Sequence, residues 1–348
     1  MPNKSKLEEE LERLKKQADP EIAELRKALV NTQKQLAKAK QRNDELAEAV
    51  IQAAKDAMIA FGPIQSVKEP IKDIRKTKAE AALIHATDWQ LGKRTSDYDS
   101  DVARKRVMQF AEKIVRITEI QRADHPVKDC IVMFGGDMLE GVQIFPGQAF
   151  QVDSTLFTQW VNVSRLMVDF VRYLLTHFEK VIVHSEHGNH GRIGSKRDGL
   201  PQQDNTDLMA YRMSASLLEN EKRLTWDIDL EDIKKITYQN YKAILIHGDE
   251  IGRNGFASPM SIVRHADRWR SGALENFDFT TCFVGHYHQN QEWQMANGLG
   301  SVIMTGSTES SNRYARDLLA SNGTPSQRLM FLDGLKGRVT ANYRVWLD

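Results

Sequence analysis

The chain has 348 residues, 41% of them hydrophobic and 27% charged, with a formal net charge of +1. Such a composition suits a globular protein and gives no global charge to hold nucleic acid or an anionic membrane, so any electrostatic attraction must be local. No apolar run approaches the ~18 residues of a membrane span. The opening MPNKSKLEEE has no apolar signal core, so a cytoplasmic location is expected. Cys130 and Cys282 lie in the apolar runs DCIVMF and TTCFVG and read as reduced core thiols, not as a disulfide.

Residues 1–61 differ in kind from the rest. They hold no glycine and no aromatic residue before Phe61. From Ile22 a 3-4 spacing runs through Leu25, Leu29, Thr32, Leu36, Ala39, Asn43, Leu46, Val50, Ala53 and Ala57, which is a heptad seam. Asp19 and Pro20 suit its N-cap and first turn. The seam predicts a long coiled-coil helix through which the chain self-associates. A single helix packed back on the rest is the alternative. Arg26 to Arg42 carries six basic residues and no acid, a solvated face or a track for a phosphate backbone. Residues 62–80, with Pro63 and Pro70, read as a linker.

From residue 81 the texture changes. Short apolar runs (AALIHAT, CIVMFGG, KVIVHSE, KAILIHG, TTCFVGH, SVIMTGS) alternate with helical periodicity over 101–123, 156–179 and 205–221. Strands separated by helices predict an α/β sheet, made mixed by hairpins toward the C-terminus.

The strand ends share a chemistry. Five runs are followed by Asp88-Trp89-Gln90, by Gly136-Asp137, by Gly188-Asn189-His190, by His247 and by Gly285-His286-Tyr287-His288. Sites in open α/β sheets form beyond the carboxyl ends of the strands. Carboxylate, amide oxygen and imidazole are ligands for Mn, Fe, Zn and similar ions. Two such ions about 3.5–4 Å apart lower the pKa of an attacking water and neutralise charge on a phosphoryl group.

In this order the motifs D-x-Q, GD, GNH, H and GHxH resemble those of the calcineurin-like metallophosphoesterases, over roughly residues 82–310. The resemblance implies a two-sheet mixed α/β sandwich with metals at the strand ends, and a catalytic domain spanning 81–348. It implies a first metal on Asp88, Gln90 and His288, and a second on Asn189, His247 and His286, with Asp137 bridging. His190 would protonate the leaving group, with Glu140 orienting it. The cofactors implied are two divalent ions, Mn foremost, with Mg, Fe or Zn as alternatives. The sequence departs from the family at Gln90, where a His is usual, and at Gly191, where an acid is usual. His187 reads as a supporting residue; His85 and His184 lie within strands and read as structural.

The ester is less legible. Arg192, Lys196 and Arg197 follow the third motif, Arg264 and Arg268 flank Trp269, and Trp89 sits in the first motif; basic and aromatic residues interleaved this way could track a nucleic-acid strand. EGVQIFPGQAF and the stretch from Ser307 to Leu332 resemble bacteriophage members described as nuclease-like. The expected function is therefore a dinuclear-metal phosphodiesterase acting on DNA. A small-nucleotide or phosphomonoester phosphatase is the first alternative, and a coiled-coil adaptor with a weakly active platform the second.

Overall fold

The computed structural model describes residue 56 and residues 64–145, 147–193, 205–228, 233–251, 257–274, 277–298, 300–309 and 324–348. All but Asp56 belong to one compact unit, Phe61–Asp348. The expected coiled coil of residues 1–61 otherwise lies outside the described residues. Residues 64–79 carry no helix or strand. They are pinned to the unit, with the Val67 N–H on Glu221 at 2.6 Å and the Asp73 N–H on Glu179 at 2.9 Å.

Two mixed sheets make the framework. The first contains β1 (Glu80–Ala86), β2 (Val127–Phe134), β3 (Lys180–Ser185), β4 (Leu224–Asp227), β10 (Ser326–Asp333) and β11 (Arg338–Trp346), in the order β11-β10-β1-β2-β3-β4. The second contains β5 (Lys234–Tyr238), β6 (Tyr241–Ile246), β7 (Thr281–Val284), β8 (Glu292–Gln294) and β9 (Ser301–Met304), in the order β5-β6-β7-β9-β8. Strands β1 to β4 are mutually parallel, as are β6, β7 and β9; the remaining pairings are antiparallel. Parallel neighbours require crossovers, and helices α1 (Ser100–Arg122), α2 (Leu156–Leu175) and α3 (Thr206–Leu217) supply them in the first sheet.

All seven residues of β1 are buried, as a strand covered on both faces demands. One face meets the second sheet: Leu83, Ile131, Met133 and Met330 pack with Leu245, Phe283 and Ile303. The helices cover the other face, where Phe110 of α1 and Phe170 of α2 stack at 6.0 Å and Phe134 stacks on Tyr211 of α3 at 5.8 Å. Helix α4 (Pro259–Arg268) closes the far side of the second sheet through Ile262, Val263 and Ala266. Each helix begins on a side-chain cap that sequence makes visible: Asp99, Thr155, Asn205 and Ser258 accept first-turn N–H groups.

Register positions the site. Ala86 lies beside Phe134, and Phe134 beside Ser185. Ile246 lies beside Val284, and Val284 beside Met304. The residues that follow therefore leave each sheet at one level.

Candidate metal centre

Beyond the sheet, β1 and β2 stay zipped as loops. The Asp88 N–H donates to Gly136 O at 3.0 Å, Gln90 to Asp137 O at 2.9 Å, and Glu140 back to Leu91 O at 3.0 Å. In this ladder and in the turn after β7 the backbone is strained. Among the described residues, seven non-glycines have φ in the left-handed region, and five of them are Asp88, Gln90, Asp137, His286 and His288. Such a conformation costs of order 1 kcal/mol or more per residue and persists where the surroundings dictate it, commonly at functional sites. Here it turns the motif side chains together. Space is tight as well: a Cβ on Gly188 would stand 2.0 Å from Asp137 Oδ1, and one on Gly285 2.8 Å from Asp88 Oδ2.

Asp137, Asn189, His247 and His286 come together. His247 is fully buried and donates through Nδ1 to Gly135 O at 2.8 Å, which leaves Nε2 facing inward. That nitrogen lies 3.0 Å from Asp137 Oδ2 and 3.2 Å from Asn189 Oδ1. One ligand atom each from Asp137, His247 and His286 falls within 4.8 Å of the others. Acceptors converging in this way call for a cation between them, a proton on His247 or a divalent ion. Burial opposes charge on His247, yet Asp137 outweighs it and holds the imidazole well above its usual pKa. The donor set, one carboxylate, one amide oxygen and two imidazoles, fits Mn, Fe or Zn.

His190 flanks this set. Its Nδ1 is 2.8 Å from Glu140 O and 3.2 Å from Glu140 Oε2, while Nε2 points to Asp137 Oδ2 at 3.9 Å. Gln148 holds Glu140 in turn, donating to its O at 2.7 Å and its Oε1 at 3.0 Å. Burial opposes charge on His190, but Asp137 and Glu140 raise it to about 9, so it carries a proton at neutral pH.

The first expected set is arranged differently. Asp88 Oδ1 lies 3.3 Å from His288 Nε2, and its two oxygens accept the His286 N–H. Gln90 Oε1, however, accepts from Lys93 Nζ at 3.0 Å, and its Nε2 stands 3.3 Å from His288 Nε2. Lys93 is 6% exposed and also paired with Glu309 at 2.8 Å. Lysine only donates, so the amide oxygen faces Lys93 and the NH2 faces the site. An NH2 group is no metal ligand, and the expected contribution of Gln90 is absent from this arrangement.

Among the substrate candidates, Arg192 is ion-paired with Asp249, two residues after His247. Lys196 and Arg197 lie outside the described residues. Arg264 and Arg268 are exposed on α4, whereas Trp269 packs against the core. Trp89 corrects the sequence reading: it is fully buried, edge-on to Phe134 and Phe170, and cannot stack on a base. Phe145 lies 6.3 Å from the His190 ring, with Phe150 exposed on the same loop. His85 and His184 are bonded within the fold, to Thr305 and Asp227.

Sequence reasoning missed four supports. Asp207, at the start of α3, accepts the N–H groups of Asp137, Met138 and Gly188 at 2.9, 3.1 and 2.9 Å. Burial, then Asp137, raises its carboxyl to about 6. Lys93, Gln148 and Glu309 are the others. Only Asp207 had a local signal, following the Asn205 cap.

No protein-family model matches the chain, and no curated protein does. Solved structures similar to it include Vacuolar Protein Sorting 29 from Cryptosporidium parvum (12% identity, TM-score 0.37, covering 77% of this chain and 99% of that one). A predicted phosphoesterase from Streptococcus pneumoniae is 11% identical, with a TM-score of 0.31 over 76% of this chain and 98% of that one. A putative 5'-nucleotidase from Staphylococcus aureus is 11% identical, with a TM-score of 0.33 over 77% of this chain and 54% of that one. Likenesses this distant add nothing to the reading of the site, which rests on its own residues.

Proposed function

We propose that the chain is a divalent-metal-dependent phosphodiesterase of the calcineurin-like type, acting on DNA and self-associated through its N-terminal heptad seam. The observation that carries the chemistry is the convergence of Asp137, Asn189, His247 and His286, with His190 Nε2 turned toward Asp137. A divalent ion on that set, Mn foremost, would neutralise phosphoryl charge and acidify water. The chain's own residues do the rest. Asp137 Oδ1 accepts the His190 N–H at 2.7 Å and so ties the donor to the ligand set. As water attacks phosphorus and the P–O bond breaks, His190 Nε2 gives its proton to the departing oxygen, while Glu140 holds Nδ1.

Charge favours a diester. Among the described residues, Lys93 and Arg192 are the lysine and arginine at the site, and both are paired with carboxylates. A diester monoanion asks less compensation than a monoester dianion. Phe145 and Phe150 offer aromatic faces for bases, worth roughly 1–3 kcal/mol each. The test compares labelled single- and double-stranded DNA, a 5'-nucleotide and p-nitrophenyl phosphate, each with Mn. Cleavage of DNA at the highest kcat/KM supports the proposal; preference for either monoester replaces it with a phosphatase.

A further inference from the structure

The Asp88, Gln90 and His288 side of the centre closes on itself. Gln90 Oε1 is taken by Lys93 at 3.0 Å, Lys93 by Glu309 at 2.8 Å, Glu309 reaches His288 Nδ1 at 3.4 Å, and His288 Nε2 reaches Asp88 at 3.3 Å. Gln90 Nε2 stands beside this ring, 3.3 Å from His288 Nε2, a nitrogen that either donates to Asp88 or accepts from the amide. The ring is built, not incidental. Lys93 and Glu309 are 6% and 3% exposed, and breaking a buried ion pair by removing one partner is costly. The Glu309 segment is anchored to the first motif by the Thr308 N–H and the Ser307 hydroxyl, both donating to Asp88 O. Tyr98 braces the same junction, between Trp89 O and the Thr308 hydroxyl.

A second ion here would meet the positive charge of the Lys93 ammonium held behind Gln90, and an amide that offers it N–H groups. The opposite set has no such obstacle. Resting on the metal-centre reading above, we propose that the chain holds one tightly bound divalent ion, on Asp137, Asn189, His247 and His286, and that Lys93, clamped by Glu309, takes the place of a second.

Equilibrium dialysis of the full chain against Mn, with the EPR spectrum of the bound ion, tests this without reference to turnover. Wild type is expected to bind one equivalent, with the hyperfine pattern of an isolated ion. Lys93→Met, which frees the Gln90 oxygen and leaves the Glu309 charge, is expected to bind two, with the signature of an exchange-coupled pair. The combination of Lys93→Met with Glu309→Gln removes both charges of the pair; it serves where the single variant does not fold and is expected to bind two as well. Two equivalents on wild type would overturn the inference and leave the metal-centre reading standing. One equivalent on the folded variants would overturn the role given to Lys93. No bound Mn on wild type would overturn the metal-centre reading itself, and the inference with it.

Discussion

The carboxylate of Asp207 accepts the backbone N–H of Asp137 at 2.9 Å, and with the same side chain gathers those of Met138 and Gly188. One residue at a helix start thus holds two motif loops in conformations they would not adopt alone. Asp207→Ala leaves three buried N–H groups without an acceptor, at about 1–3 kcal/mol each. A loss of at least about 3 kcal/mol in urea unfolding is expected, and weaker Mn binding with it. Asp207→Asn, which keeps one acceptor oxygen, should lose less.

Close approach gives a second prediction. Gly188 leaves no room for a methyl group beside Asp137 Oδ1. Gly188→Ala is expected to move that carboxylate and to weaken Mn binding by about 10- to 100-fold, the usual cost of disturbing a ligand's support. Calorimetric titration with Mn measures it. Unchanged affinity would place Asp137 outside the ligand set.

Glu140 sets the proton of His190. Burial works against the imidazolium, and Asp137 and Glu140 together raise it to about 9. Glu140→Gln removes one raising charge, so the pKa falls. The alkaline limb of kcat/KM for DNA, where His190 loses its proton, then moves to lower pH than in wild type. A limb that stays in place would exclude His190 as the proton donor.

His85 governs stability in acid. Burial depresses its pKa to about 3, against 6.5 unfolded. Between those values the unfolded chain binds a proton that the folded chain does not, so the stabilisation present above pH 6.5 is lost progressively as pH falls toward 3. From pH 7.5 to 5 the loss from this residue is about 2 kcal/mol, at about 1.4 kcal/mol per pH unit. Urea unfolding of wild type and His85→Gln checks it: the variant should show a shallower decline.

The sequence disclosed what is local. The runs that became β1, β2, β3, β6, β7 and β9 are near-continuous apolar stretches, and three helices announced themselves by period. The motif residues that gather at the centre were legible because each follows such a run. Strand β10 was not, since Gln327 and Arg328 interrupt its apolar pattern. Both are buried for tertiary reasons: Gln327 bonds Thr87, and Arg328 bonds Met304 O and Asn342. Edge strands β4, β5 and β8 are short, and β11 alternates, with one face in solvent. Lys93 and Glu309 are separated by most of the chain, and no spacing rule joins them. Trp89 misled because an aromatic beside a catalytic motif reads equally as ligand platform or core.

The most direct test of the account pairs Mn binding with cleavage of a labelled DNA strand in wild type, Asp137→Asn and His190→Ala. Asp137→Asn should lose both Mn and cleavage. His190→Ala should keep Mn and lose about 100-fold or more in cleavage of DNA, whose alkoxide leaving group needs a proton, while losing far less on bis-p-nitrophenyl phosphate, whose leaving group does not. Cleavage of DNA by His190→Ala at the wild-type rate, or by Asp137→Asn with Mn still bound, would contradict the account.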